Sequence, residues 1–376
     1  VIIEGGRLVT DRGVLDPGWL EVHNGVITAV GHGRPPAPAG FAFPGHWLVP
    51  GFVDMHVHGG GGGDFSNGDP NLVTKAVEFH RAHGTTTMVA GLVTAPLDEL
   101  VAAVARLAEH VQDGVLAGLH LEGPYLSAAH CGAHPPALLR APEPGELERL
   151  LEAGRGTVRM ITVAPELPHG IDAIHRVAES GVIAAVGHTA ATYEQTLAAI
   201  DAGATVATHL GNGMAPPHHR RPGPSVALLE ADHVTVEVIV DGHHLHPATV
   251  RAIARSAGPN RVALITDAIA AAGLSDGDYT LGTIGVRVRD GIARLSQGDS
   301  LAGSTLTLDR ALRNAVAAGL PFLDALAAIT TVPASAVGLA DRAGVIGVRR
   351  RADLVVLDHS LEVVAVLADG AWLNER

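Results

Sequence analysis

The feature that most constrains this chain is an alternation of two segment types between residue 49 and residue 318. Short apolar runs at 49–58, Thr86–Val93, Val115–Glu122, Val158–Ala164, Val182–His188, Thr205–His209, Val234–Asp241 and Val262–Asp267 read as strands. Leu72–His83, Leu97–His110, Glu146–Ala153, Ile171–Glu179, Thr192–Ala202, Pro247–Ala257 and Leu306–Ala318 carry apolar residues at helical spacing. Eight strands with helices between them fit an α/β fold of the (β/α)8 TIM-barrel type better than a doubly wound sheet. A hairpin over Val286–Leu295, turning at Asp290-Gly291, follows the eighth strand as an insertion.

The two ends read differently. Trp19–His23 and Val26–Val30 flank Asn24-Gly25, a two-residue hairpin signal, and Ala352–Asp358 and Glu362–Leu367 are strand-like. Neither end is long enough to stand alone. The expectation is a small β-sandwich domain built jointly from 1–48 and 341–376, beside a catalytic barrel over 49–340.

A hydrophobic content of 47% against 17% charged residues excludes a disordered chain. The formal net charge of −13 argues against nucleic-acid binding, which relies on Lys and Arg at phosphates. No apolar run approaches the roughly 18 residues that span a bilayer, so no membrane partner is expected. The single cysteine, Cys131, forms no internal disulfide, and the N-terminal stretch lacks the regions of a secretory signal. A cytoplasmic setting is the expectation. The 22 histidines are the unusual number, against 26 Lys plus Arg.

Many of those histidines stand at strand ends. The first strand carries Asp54, His56 and His58 at alternate positions, hence on one strand face. The third ends in His120-Leu-Glu122, the fifth in Gly-His188-Thr, and the sixth in Thr-His209-Leu-Gly-Asn212. The seventh ends in Asp241-Gly-His243-His244, and the eighth in Thr-Asp267-Ala. C-terminal strand ends form the active-site floor of barrel enzymes. A buried ring of His, Glu and Asp is expensive to desolvate without a metal ion, which makes the metal reading the favoured one.

These motifs, together with Gly132-Ala-His134 and Gly344–Leu357, resemble the N-acetylglucosamine-6-phosphate deacetylase family of the amidohydrolase superfamily. The resemblance covers nearly the whole chain in the expected order. It implies hydrolysis of the N-acetyl group of an amino-sugar phosphate, in amino-sugar catabolism or cell-wall recycling. It also implies that Glu122, His188 and His209 hold one divalent ion, with His56 and His58 adding a second that Glu122 bridges. Zinc leads, and iron, cobalt, manganese and cadmium are compatible. Asp267 becomes the general base and then the general acid, or alternatively only a ligand. His134 becomes the group that orients the carbonyl, with a plain surface histidine as its rival. Ala133, Asn212, Gly213, Arg220, His244, Leu301, Ala302 and Gly303 become substrate contacts, with Arg221 an alternative to Arg220. A homodimer in which Arg220 and His244 reach the neighbouring site completes the expectation. Cys131 is read as inert.

Three tempting motifs fail. The glycine run 59–63 lacks the pattern of a dinucleotide site, no Walker A lysine is present, and Gly303-Ser304 is no nucleophile elbow. Related amidohydrolases use a bridging lysine after the fourth strand. Val158–Pro165 offers none, and the chain's one lysine, Lys75, lies in a helix-like segment. An N-acetylgalactosamine 6-phosphate deacetylase, another amidohydrolase of dihydroorotase, hydantoinase or D-aminoacylase type, and a silent sugar-phosphate binding protein remain as alternatives.

Overall fold

The computed structural model describes residues 1–373 of the 376. Eight parallel strands stand side by side in sequence order: Phe52–Val57, Thr85–Val93, Gly118–Glu122, Val158–Val163, Ile183–Val186, Ala204–Ala207, Thr235–Val238 and Val262–Leu264. All nine residues of Thr85–Val93 are buried, as expected of parallel strands covered by helices on the outside. The first and eighth strands meet just beyond their ends. Asp267 N–H donates to the His56 carbonyl at 2.9 Å, and His58 N–H donates to that of Ala268 at 2.8 Å. The expected (β/α)8 barrel is present, and the two residues that close it at this end belong to the polar motifs.

The fifth to eighth strands end before the polar residues that close their apolar runs, because those residues turn out of the sheet. Three such residues, His188, His209 and Asp267, have positive φ (46°, 26° and 50°). The seven expected helices form at Pro70–Ala82, Leu97–Gln112, Pro144–Gly154, Gly170–Glu179, Tyr193–Asp201, Pro247–Ala257 and Leu308–Ala317. Asp69 caps the first, and Thr192 and Gln195 form a capping box on the fifth. A helix over Gly223–Glu230 has no counterpart in the sequence reading. It buries five of its eight residues, Pro224 and Ser225 included, so no polar stripe marks it. Phe322–Ala327 and Thr331–Ala336 are too short to show a period.

Strands from both ends of the chain form one further sheet. Phe41–Pro50 runs parallel to Ile2–Thr10 and antiparallel to Leu354–Leu357, then passes residue 48 and leads into the barrel at Phe52. Asn24 and Gly25 both take the positive φ (49° and 74°) that their hairpin turn requires. Ile27 N–H donates to Arg350 O, and Ala352 N–H to Gly25 O. Ile3, Leu8, Leu20, Ile27, Leu48, Leu354 and Val356 of this sheet form one buried cluster of their own. The last three residues of the expected 341–376 segment lie outside the described residues.

The hairpin after the eighth strand has a third strand: Gly277–Leu281, Ile284–Arg289 and Ile292–Leu295 pair antiparallel. Its apolar face (Leu281, Val286, Val288, Ala293) packs with Val93, Ala133 and Ile269, beside the polar strand ends. Among the described residues no helix is long and apolar enough to cross a membrane.

Candidate metal centre and active site

Five of the strand-end residues, and His134 from the loop after the third strand, gather around Glu122, whose two carboxylate oxygens face different partners. Oε1 lies 2.8 Å from His209 Nε2 and 3.1 Å from His188 Nε2. Oε2 lies 3.2 Å from His58 Nε2, 3.5 Å from His134 Nε2 and 3.6 Å from His56 Nε2. Asp267 Oδ1 completes the second group, 3.1 Å from His58 Nε2 and 3.7 Å from His56 Nε2. All of these residues are buried. Burial works to raise the Glu122 carboxyl, but the imidazoles around it, His56 foremost, hold it well below the usual carboxylate range.

The hydrogen bonds behind the histidines decide what each presents to the centre. His58 Nδ1 faces the Gly91 carbonyl at 3.1 Å, and His188 Nδ1 faces that of His130 at 2.7 Å. A carbonyl only accepts, so each Nδ1 carries a proton, and in the neutral ring the lone pair then lies at Nε2, turned inward. His56 Nδ1 faces Glu237 Oε2 at 3.0 Å with the same consequence. The His56 and His58 Nε2 atoms then lie 3.2 Å apart with lone pairs converging on the same space. Such an arrangement is repulsive unless a cation lies between, and imidazoles donating their second nitrogen outward are the usual setting of metal ligands. The donor set fits a divalent ion. His209 Nδ1 is buried without a partner.

His134 differs. Its Nδ1 accepts the Thr94 backbone N–H at 3.3 Å and lies 2.9 Å from Thr94 Oγ1. Burial pushes its imidazole down to about 4. A neutral ring with Nδ1 as acceptor carries its proton on Nε2, so His134 offers an N–H to whatever lies against Glu122. The surface alternative is excluded by its 3% exposure.

A cavity of about 480 Å³ opens above these groups. Ala133, His134, Asn212, Gly213, His244, Leu301 and Gly303 line it with Glu122, His188, His209 and Asp267, and Cys131 stands on the same wall. His244 is held by Asp241, whose Oδ2 lies 2.7 Å from His244 Nδ1. Two of the expected contacts do not line this cavity in the single chain. Ala302 is fully buried, its N–H committed to Ala293 O at 3.1 Å, and it lies behind the wall. Arg220 is absent from the cavity lining. Reciprocal backbone hydrogen bonds between His218 and Arg221 (3.1 and 2.9 Å) form a turn that puts Arg220 and Arg221 on a separate groove of about 760 Å³.

Asp54 does not join the centre despite sharing the strand face of His56 and His58. It accepts from Thr266 Oγ1 at 2.6 Å beneath them, and burial pushes its carboxyl up to about 7. Glu237, on the seventh barrel strand, escaped the sequence reading although it touches the site. Its signal was a lone carboxylate inside the apolar run Val234–Val240. Thr94, which sets the tautomer of His134, carried no signal.

Residues 47–373 match the amidohydrolase family. A Mycobacterium smegmatis N-acetyl-D-glucosamine-6-phosphate deacetylase is 50% identical, with a TM-score of 0.97 over 100% of this chain and 99% of that one. That structure carries an aspartate-to-alanine substitution and is in complex with N-acetyl-D-glucosamine-6-phosphate. An Escherichia coli O157:H7 N-acetylgalactosamine-6-phosphate deacetylase is 37% identical over 98% of both chains. A Vibrio furnissii N-acetylglucosamine-6-phosphate deacetylase is 38% identical over 88% of this chain and 82% of its own.

Proposed function

The chain belongs to the amidohydrolase family, and from that premise we propose that it hydrolyses N-acetyl-D-glucosamine 6-phosphate to D-glucosamine 6-phosphate and acetate. The observation that carries the reading is the convergence of five imidazoles and Asp267 on Glu122 at the floor of one cavity. Two ions match the two faces of Glu122. His188 and His209 with Oε1 would hold one; His56 and His58 with Oε2 would hold the other. Nitrogen and oxygen donors suit zinc first, and iron, cobalt, manganese or cadmium as well. Ions held there supply an acidified water, with a pKa near 7 where zinc binds it, and an electrophile for a carbonyl oxygen.

The residues supply the rest. Asp267 Oδ1 takes a proton from the attacking water as its oxygen bonds to the acetamide carbon. The His134 Nε2–H donates to the carbonyl oxygen as negative charge develops on it. The carbon–nitrogen bond then breaks, and Asp267 returns its proton to the departing amine, leaving acetate and the free amino sugar. Asn212, the Gly213 backbone amide and His244 form the phosphate end of the cavity, the Asn212 N–H being held by His209 O at 2.9 Å. Arg220 lies off the cavity of its own chain, and this supports a homodimer in which it serves the neighbouring site. A cytoplasmic location belongs to the same reading.

A second reading, with N-acetylgalactosamine 6-phosphate as substrate, is favoured by the Escherichia coli relative, which spans 98% of the chain. The test measures acetate release from both sugar phosphates and from unphosphorylated N-acetylglucosamine, with and without chelator. The glucosamine phosphate is expected to lead, with loss of activity in chelator. Equal rates with and without the phosphate group would reject the phosphate end, and a lead for the galactosamine phosphate would establish the second reading.

A further inference from the structure

Glu237 is a fully buried carboxylate in the middle of the seventh barrel strand, Thr235–Val238. It does not line the cavity. A buried carboxylate with nothing to balance it is strongly unfavourable, so its partners indicate why it is there. Both lie on the centre. Oε2 is 3.0 Å from His56 Nδ1 and 3.1 Å from the His209 backbone nitrogen, which donates to it. The Glu237 backbone carbonyl takes the next N–H along, that of Leu210, at 2.9 Å. Oε1 has no partner. One carboxylate oxygen thus grips a first-strand histidine and a sixth-strand histidine, which face opposite oxygens of Glu122.

We propose that Glu237 is a positioning residue that ties the two ion sites together. It orients the His56 ring with its Nε2 lone pair toward Glu122 Oε2. It also pins the His209 turn, where φ is 26°, so that His209 Nε2 meets Glu122 Oε1. The first grip sets a tautomer: with a pure acceptor at Nδ1, His56 has its lone pair at Nε2 and nowhere else. The second holds a non-glycine residue in the left-handed region, a conformation that persists only where its surroundings enforce it. Removing the carboxylate therefore loosens one ligand of each site at once, although Glu237 touches neither cavity nor substrate.

This inference rests on the two-ion reading, and the experiment separates the two. Ion content per chain is measured by elemental analysis of purified holoenzyme across a chelator series, for the wild type and for Glu237→Leu. Leucine approximates the volume and removes the acceptor that holds both His56 Nδ1 and the His209 N–H. The expected result is two ions in the wild type and both released at about 10- to 100-fold weaker chelation in the variant. The metal-free forms of both proteins are melted in parallel. A merely structural Glu237 would lower the metal-free melting temperature and leave the release curves superimposed, and that pattern overturns the proposal. A wild type that binds no ion overturns both readings. One that binds a single ion sinks the two-ion reading, and Glu237→Leu then decides the rest by whether it loosens that ion. If the variant does not fold, 15N spectra of histidine-labelled wild-type holoenzyme read the same point. A protonated His56 Nδ1 supports the proposal, and an unprotonated one overturns it.

Discussion

Replacing Asp267 by Asn isolates the proton-transfer role, because the local geometry removes the usual confounders. Asp267 sits at φ 50°, a region asparagine adopts more readily than alanine, so Asp267→Asn adds little backbone strain. Its backbone is fixed from both sides: the N–H donates to His56 O at 2.9 Å, and the C=O accepts from Ser304 N–H at 2.8 Å. Only the carboxylate changes. The same group handles two proton steps, so the loss belongs in the upper part of the range for general acid–base catalysis, about 10³- to 10⁴-fold in kcat. That corresponds to about 4 to 5.5 kcal/mol of transition-state stabilisation. The side chain's close contacts are with His56 and His58 on the floor, far from any grip on sugar or phosphate, and KM is expected to stay within about threefold. Asp267 makes no hydrogen bond or ion pair with His188 or His209, so an ion held by those two and Glu122 Oε1 would be retained. Three measurements check this: acetate release, binding of uncleaved substrate by calorimetry, and ion content. A kcat within about tenfold of wild type, with ions retained, would refute the assignment of the proton to Asp267.

Three further outcomes follow from other parts of the molecule. His80 is fully buried with Nε2 on Gly59 O, and burial pushes its imidazole down to about 4 from an ordinary 6.5. The unfolded chain therefore takes up the proton first, and this contribution to stability is present above pH 6.5 and lost as pH falls toward 4. The loss is about 3 kcal/mol, read from urea unfolding at a series of pH values, and His80→Gln should flatten the slope; an unchanged slope would discard it. At Gly91 an added Cβ would lie 2.7 Å from the His58 ring. Gly91→Ala should cost about 1–3 kcal/mol and displace His58, lowering ion content on that side, whereas full occupancy would show that the ring has room. Finally, mixing inactive Arg220→Ala and Asp267→Asn chains should restore about a quarter of wild-type activity if Arg220 serves the neighbouring site. No recovery on mixing would place the phosphate contact within one chain or on Arg221.

The sequence disclosed most of this where chemistry and period coincide. His56 and His58 are readable because a strand puts i and i+2 on one face, and Glu122, His188, His209 and Asp267 because each ends an apolar run. What the pattern could not carry is which nitrogen of each ring points inward. That choice belongs to Gly91, His130, Thr94 and Glu237, brought there by strands far apart in the chain. Asp54 shows the same limit from the other side. Its spacing is that of a ligand, yet Thr266 claims it beneath the site. Arg220 and Ala302 mark a further limit, since a loop's register does not say which wall its side chains face.

The residues with unfavourable backbone are the most instructive. Glycine would occupy the positive-φ positions of His188, His209 and Asp267 without strain, and the chain has 46 glycines to draw on elsewhere. At each of these three positions it carries a side chain that meets Glu122 or the histidines around it. Each conformation costs on the order of 1–3 kcal/mol, borne by the barrel that holds it. Local preference and global requirement disagree here at the ends of the fifth, sixth and eighth strands, and such disagreement is characteristic of functional sites in an otherwise consistent fold. The strain turns each side chain inward at a strand end, where a residue continuing the strand would have alternated from face to face. A barrel with relaxed turns at these three positions would keep its fold and lose the convergence on Glu122.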